Sequence, residues 1–281
     1  MNLNISEINE MRPLLLLYSS GTGGEFITKT ISENSNDFNK VESFIDDNNN
    51  LTSARCCLYY GAIWKNPDDP STWIDHNAVP QDKSKRVVIK DHPSLYFAKY
   101  YWRYLSNLQV IHLAVNEEID YFSKLTMNKL AYRVNSDNVD KFYINKYISE
   151  TATQQRIDDI VNWAKSYHWV WSTELQTINS LLSKQVDVSN FWHNDNIDIL
   201  IKNQSIAISW ESGQLRTFLS DIYDNYTTVY VDSLAYDGID FWNQIKVCIP
   251  NLELSKCLEK TTEWIAHNNK IMSRGPRTYN E

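Results

Sequence analysis

The chain has 281 residues, 42% hydrophobic and 13% aromatic, which is enough apolar side chain for a packed interior and excludes an intrinsically disordered segment. Its 35 acidic residues against 27 basic ones leave a formal charge of −8, which excludes broad nucleic-acid binding by phosphate neutralisation and leaves room for a small anion at a local basic site. No apolar run approaches the roughly 18 residues of a membrane span. Met1 to Met11 carries Glu7 and Glu10 without a basic start or an apolar stretch, so the reading is a cytoplasmic protein with no secretory signal and no membrane span.

Cys56, Cys57, Cys248 and Cys257 have no metal-ligand spacing and read as buried or inert thiols; no metal is expected. Asn, Asp, Ile and Lys are heavily used while Gly and Pro are scarce, the bias of an AT-rich genome, a viral one among them.

The run Arg12 to Tyr18, with Leu14 to Leu17 unbroken, reads as a parallel strand covered on both faces. It enters Ser19-Ser20-Gly21-Thr22-Gly23-Gly24 directly, and Glu25 to Ile31 reads as an amphipathic helix. Polar, Asn-rich Asn34 to Ser53 reads as a loop, Cys57 to Trp64 as a strand, and Lys65 to Ser84 as a loop. A strand over Arg86 to Asp91, a helix from Pro93 to about Leu105 and a strand over Leu108 to Val115 follow, and Glu117 and Glu118 open the next helix at its dipole-positive end. This alternation predicts a parallel sheet in a single domain, residues 1–281. Residues 138–184, rich in Trp and Tyr, read as a helical insertion over it. Two short apolar runs, Ile197 to Ile201 and Ile206 to Trp210, have no assigned type. A late strand over Thr227 to Val231, helices at Tyr236 to Val247 and Glu253 to Asn268, and a basic tail Lys270 to Arg277 complete the chain, which has no internal repeat.

The glycine cluster carries the strongest functional signal, because three of only seven glycines fall within four residues after a buried strand. Glycines let successive N–H groups turn inward, and the following helix adds its positive end, which together bind phosphate. A plain tight strand-to-helix turn is the alternative. The loop lacks the Gly-Lys-Ser/Thr ending that grips terminal phosphates and magnesium, which disfavours a standard kinase or ATPase.

Ser20-Gly21-Thr22 after an apolar strand resembles the phosphosulfate-binding loop of cytosolic-type sulfotransferases, which use the nucleotide PAPS and no metal; the family's preceding lysine is Ser19 here. Lys90-Asp91-His92-Pro93 resembles the family's Lys-Thr-His-Pro segment. The resemblance makes His92 the general base that deprotonates an acceptor and Lys90 a cation offsetting charge on the transferred group. A turn histidine is the alternative. Asn116 and Ser123 match the family's strand-end asparagine and its 3′-phosphate serine, while Val115 and Glu117 stand at the arginine and proline positions. Ser123 alone also reads as a helix residue facing solvent or its own backbone. Ser273-Arg274-Gly275 loosely resembles the family's Arg-Lys-Gly phosphate clamp, and a solvated basic tail is the alternative.

The resemblance therefore implies a P-loop, sulfotransferase-like α/β fold, a central parallel sheet flanked by helices. PAPS would be held by Ser19, Ser20, Gly21, Thr22, Gly23, Gly24, Ser123 and Arg274. The sulfuryl group would pass to a hydroxyl or amine of a small-molecule or glycan acceptor. The other reading from the same residues is a catalytically degenerate relative that binds nucleotide or serves a structural role, in a viral particle for example. The aromatic residues of 138–184 either line an acceptor pocket or form core.

Overall fold

The computed structural model describes residues 3–19, 21–45, 51–58, 66, 68–91, 101, 103–134, 205 and 225–273. The chain divides into two compact units, Met1–Glu117 with Glu211–Ile265, and Glu118–Trp210 with Ala266–Glu281.

The first unit opens with a short helix, α1 (Ile5–Glu10), that the composition of the N-terminus did not announce. It is closed by a reciprocal capping box: the Glu7 N–H donates to Asn4 Oδ1 at 3.0 Å and the Asn4 N–H to Glu7 Oε2 at 2.9 Å. Then come β1 (Leu14–Tyr18), α2 (Gly24–Asn34), β2 (Glu42–Ile45), β3 (Leu51–Arg55), β4 (Val88–Asp91) and β5 (Gln109–Ala114). After the second unit's helix α3 (Ile119–Val134), the first unit resumes with β6 (Tyr226–Tyr230) and α4 (Ile239–Cys248); α5 (Leu254–Ser273) ends the described chain.

Among the described residues the central sheet has four strands in the order β4-β1-β5-β6, all parallel. This is an α/β fold, with α2 packed against β1 and β4 and α4 against β6. Every residue of β1 is buried, which explains why its run is apolar without alternation: a central parallel strand has no solvent face. Leu15 pairs with Ile89 of β4 and with Val110 of β5.

The stretch Asn34 to Ser53 is not one loop. Residues 42–45 and 51–55 form an antiparallel pair, with Glu42 opposite Arg55 and Ile45 opposite Leu51. The Asp- and Asn-rich residues 46–50 have turn composition, and reading the polar flanks along with them hid two short strands. Of the strand expected over Cys57 to Trp64, only Cys57 and Leu58 are described, with Leu58 in an isolated bridge to Ile74; the rest of it lies outside the described residues. The described residues of Lys65 to Ser84 form a loop apart from one 3₁₀ turn, Pro70–Trp73, whose Asp69 N-cap side chain accepts from the Ser71 N–H. Residues 59–65, 92–100, 135–204 and 206–224 fall outside the described residues, so the insertion at 138–184, both short apolar runs and most of the Pro93 to Leu105 helix are not described.

An aromatic cluster packs α2 against the C-terminal helices. Phe26 stacks on Trp264 with centroids 5.1 Å apart and meets Trp242 edge-on at 6.3 Å, while Trp242 donates Nε1–H to Thr261 Oγ1 at 2.7 Å. No helix among the described residues is long and apolar enough to cross a membrane.

Candidate functional site

The glycine loop joins the C-terminal end of β1 to the start of α2, and its conformation accounts for its composition. Gly21 and Gly23 have φ of 87° and 83°, in the left-handed region that side-chain-bearing residues rarely enter, and Gly23 forms the N-cap of α2 without a side-chain cap. Thr22 is buried and closes the turn on Ser19, its N–H and Oγ1 both donating to the Ser19 carbonyl at 3.2 and 2.8 Å. The first ladder bond of the helix runs from the Ile27 N–H to the Gly23 carbonyl, so the N–H groups of the preceding turn face out of the helix start, where an anion is favoured. Ser20 lies outside the described residues.

Gly24 is glycine for a different reason. A β-carbon there would lie 2.1–2.2 Å from three ring carbons of buried Tyr18, so the absence of a side chain lets the strand end and the helix start meet. At Gly23 a β-carbon would lie 3.2 Å from the Trp264 ring.

Sheet order sets what else reaches this end of the sheet. The chain leaves β1 and re-enters the sheet at β4 on one side, then crosses to β5 on the other and moves outward to β6. The connections diverge between β1 and β5, and in open parallel sheets the ligand crevice lies at the carboxyl ends of such a pair.

One carboxylate organises the loop's surroundings. Glu25, the second residue of α2, accepts from the Lys90 ammonium of β4, from the Tyr18 hydroxyl at 3.1 Å and, on its other oxygen, from the Ala54 N–H of β3 at 2.5 Å. The Lys90 side chain is 10% exposed and that of Glu25 35%, so the ammonium is the sheltered partner. Burial, followed by the Glu25 charge, pushes the Tyr18 phenol well above its ordinary range, and burial pushes the neighbouring Cys56 thiol up to about 12. Both stay neutral at physiological pH.

No protein-family model, curated protein or solved structure matches this chain.

At the end of β5, the second strand of the crevice, the backbone already holds an internal anion. The Asp232 carboxylate, just after β6, accepts from the Asn116 N–H at 3.0 and 3.2 Å and from the Glu117 N–H at 2.6 Å. Within the second unit, Ser123 on α3 is fully buried; its hydroxyl donates to the Ile119 carbonyl at 2.7 Å and accepts from Ser205 at 2.8 Å. His92 and Arg274 lie outside the described residues. Of the residues singled out in the sequence, the structure thus brings Ser19, Gly21, Thr22, Gly23, Gly24 and Lys90 to one end of one sheet.

Sequence reasoning missed Glu25 and Asp232. Glu25 read as an ordinary acidic residue in a first helical turn, and its role appears only once β3 and β4 are placed beside α2. Asp232 lies 116 residues beyond Asn116 and meets it because β6 pairs with β5. A cavity of about 390 Å³ is lined by Ser32, Asn39, Lys40, Arg55, Lys85 and neighbours, about 12 Å along α2 from the glycine loop. Its central polar groups are already paired: Asn39 Nδ2 donates to the Asp82 carbonyl at 2.8 Å, and the Arg55 guanidinium grips the Asp75 carboxylate at 2.6 and 3.1 Å.

Proposed function

We propose that the glycine loop binds the phosphorylated end of a nucleotide. In the sulfotransferase-like reading that nucleotide is PAPS, and its sulfuryl group passes to a hydroxyl or amine of a small-molecule or glycan acceptor. The observation that carries the proposal is a loop with two left-handed glycines between the central buried strand and a helix start, beside the point where the sheet's connections diverge. In this reaction the acceptor oxygen or nitrogen bonds to sulfur while the bond from sulfur to the bridging phosphate oxygen breaks. The electron pair of the broken bond leaves with the adenosine bisphosphate, and the acceptor proton passes to a base, the role given to His92. Lys90, the assigned cation, stands on β4, which pairs with the loop strand β1.

A binder without transfer is the second reading. The Lys90 ammonium is already matched by Glu25 and the β5-end amides by Asp232, so less positive potential remains for a departing bisphosphate. Calorimetric titration with adenosine 3′,5′-bisphosphate in EDTA, set against ATP with and without magnesium, tests the shared core of both readings. Metal-independent binding of the bisphosphate supports it, and magnesium-dependent ATP binding replaces it with a nucleoside-triphosphatase. Transfer of radiolabelled sulfate from PAPS to an acceptor panel then separates enzyme from binder.

A further inference from the structure

We infer that Glu25 is the specificity-determining residue of the glycine-loop site, selecting a ligand whose terminal group carries one negative charge over one whose terminal phosphate carries two. The inference rests on the nucleotide-binding reading above and narrows its ligand class.

The argument begins with where charge lies around the loop. Among the described residues, the attraction available to an anion comes from the outward N–H groups at the start of α2 and from Lys90, the cation held beside them. That cation is not available at full strength. Its ammonium is sheltered and bonded to Glu25, whose carboxylate is the more exposed of the two and belongs to the helix turn that the ligand approaches. Three donors from three different strands, Lys90 Nζ, the Tyr18 hydroxyl and the Ala54 N–H, hold that carboxylate in place, so it does not swing aside as a surface glutamate does. The ion pair is neutral overall, with the glutamate side chain its more exposed partner. A singly charged end is held by the amides and meets modest repulsion from Glu25. A terminal phosphate, close to doubly charged at pH 8, meets about twice that repulsion, and among the described residues the Lys90 charge that would offset it is already matched by Glu25.

A singly charged terminus is what a phosphosulfate or a phosphodiester presents, and a doubly charged one is what ADP or a terminal phosphomonoester presents. After sulfuryl transfer the ligand's 5′ end becomes the doubly charged kind, so the same carboxylate favours release of the product.

The test uses the full chain and two near-isosteric probes, adenosine 5′-phosphosulfate and ADP, titrated calorimetrically at pH 8 in EDTA. The wild type is expected to prefer the phosphosulfate by about tenfold. Glu25→Gln removes the charge and keeps one acceptor oxygen, enough for the Tyr18 hydroxyl or the Ala54 N–H but not for both; it should tighten ADP more than phosphosulfate and bring the preference close to unity. Lys90→Gln leaves the carboxylate without its counter-charge and should widen the preference, an opposite shift that stands even where one variant fails to fold, as judged by its thermal melt. A wild type that binds both probes with a preference unmoved by either substitution overturns the inference alone. A wild type that binds neither removes the nucleotide-binding reading, and the inference with it.

Discussion

Gly24→Ala isolates the claim that this glycine exists for packing between strand and helix. The added β-carbon would lie 2.1–2.2 Å from Cγ, Cδ1 and Cδ2 of Tyr18, against 3.4 Å or more for ordinary contact, an overlap of about 1.2 Å. The ring cannot yield freely, because it is 6% exposed, ends the central strand and is tethered through its hydroxyl to Glu25. Either the start of α2 lifts off the strand or the ring leaves its slot. Overpacking of this kind costs about 1–3 kcal/mol and here falls at the upper end, against which alanine's better helix propensity returns less than about 1 kcal/mol. The expected fall in Tm is about 5–10 °C, read by circular dichroism and checked by urea unfolding. A double-mutant cycle with Tyr18→Ala gives the decisive comparison: without the ring, Gly24→Ala should cost less than about 0.5 kcal/mol. A Gly24→Ala protein as stable as wild type, or an equal loss in both backgrounds, would refute the packing argument.

Lys90→Met should destabilise by about 1–2 kcal/mol in urea titration, since it leaves a positioned carboxylate without its counter-charge, the loss being moderated by the exposure of Glu25; an unchanged midpoint would show the pair to be dispensable. Burial raises the Asp75 carboxyl, but the Arg55 hydrogen bonds, the Asn77 N–H and the Arg55 charge outweigh it and hold its pKa below the ordinary value. Because the folded pKa lies below the unfolded one, this stabilisation is full above about pH 4 and is lost as pH falls through the folded pKa, so Arg55→Met should flatten the acid limb of a stability–pH profile below pH 4. Burial pushes the Cys56 and Cys257 thiols up to about 12 and raises Cys57 as well, so all three should resist a thiol reagent at pH 8 in the native protein and react on unfolding; rapid native labelling at these sites, mapped by mass spectrometry, would contradict their placement. If the sulfotransferase-like reading holds, His92→Ala should lower the transfer rate by about 10² to 10⁴ with nucleotide affinity nearly constant, and parallel losses in rate and affinity would move His92 out of the base role.

Some features were legible in the sequence because local chemistry alone dictates them. Leu14 to Leu17 without alternation requires a strand covered on both faces, and a strand followed by three glycines in four residues requires a tight turn into a helix. The later alternation of apolar runs and helical segments requires parallel pairing, and β4, β5, β6, α4 and α5 each stand within a few residues of their expected limits. Other features were hidden because they depend on partners distant in the chain. The antiparallel pair of residues 42–45 and 51–55 looked polar because its strands are short and flank the Asp- and Asn-rich sequence 46–50. The three glycines looked alike, yet Gly21 and Gly23 answer to backbone angle and Gly24 to the Tyr18 ring, a distinction only packing makes. Lys90 looked like a free cation at a strand end. Its neutralisation by Glu25 required β4 to lie beside β1, just as the capture of the Asn116 and Glu117 amides by Asp232 required β6 to lie beside β5. Period and turn chemistry act over a few residues and so can be read from them directly; the electrostatics of the strand ends are set by which strands become neighbours, and only the assembled sheet decides that.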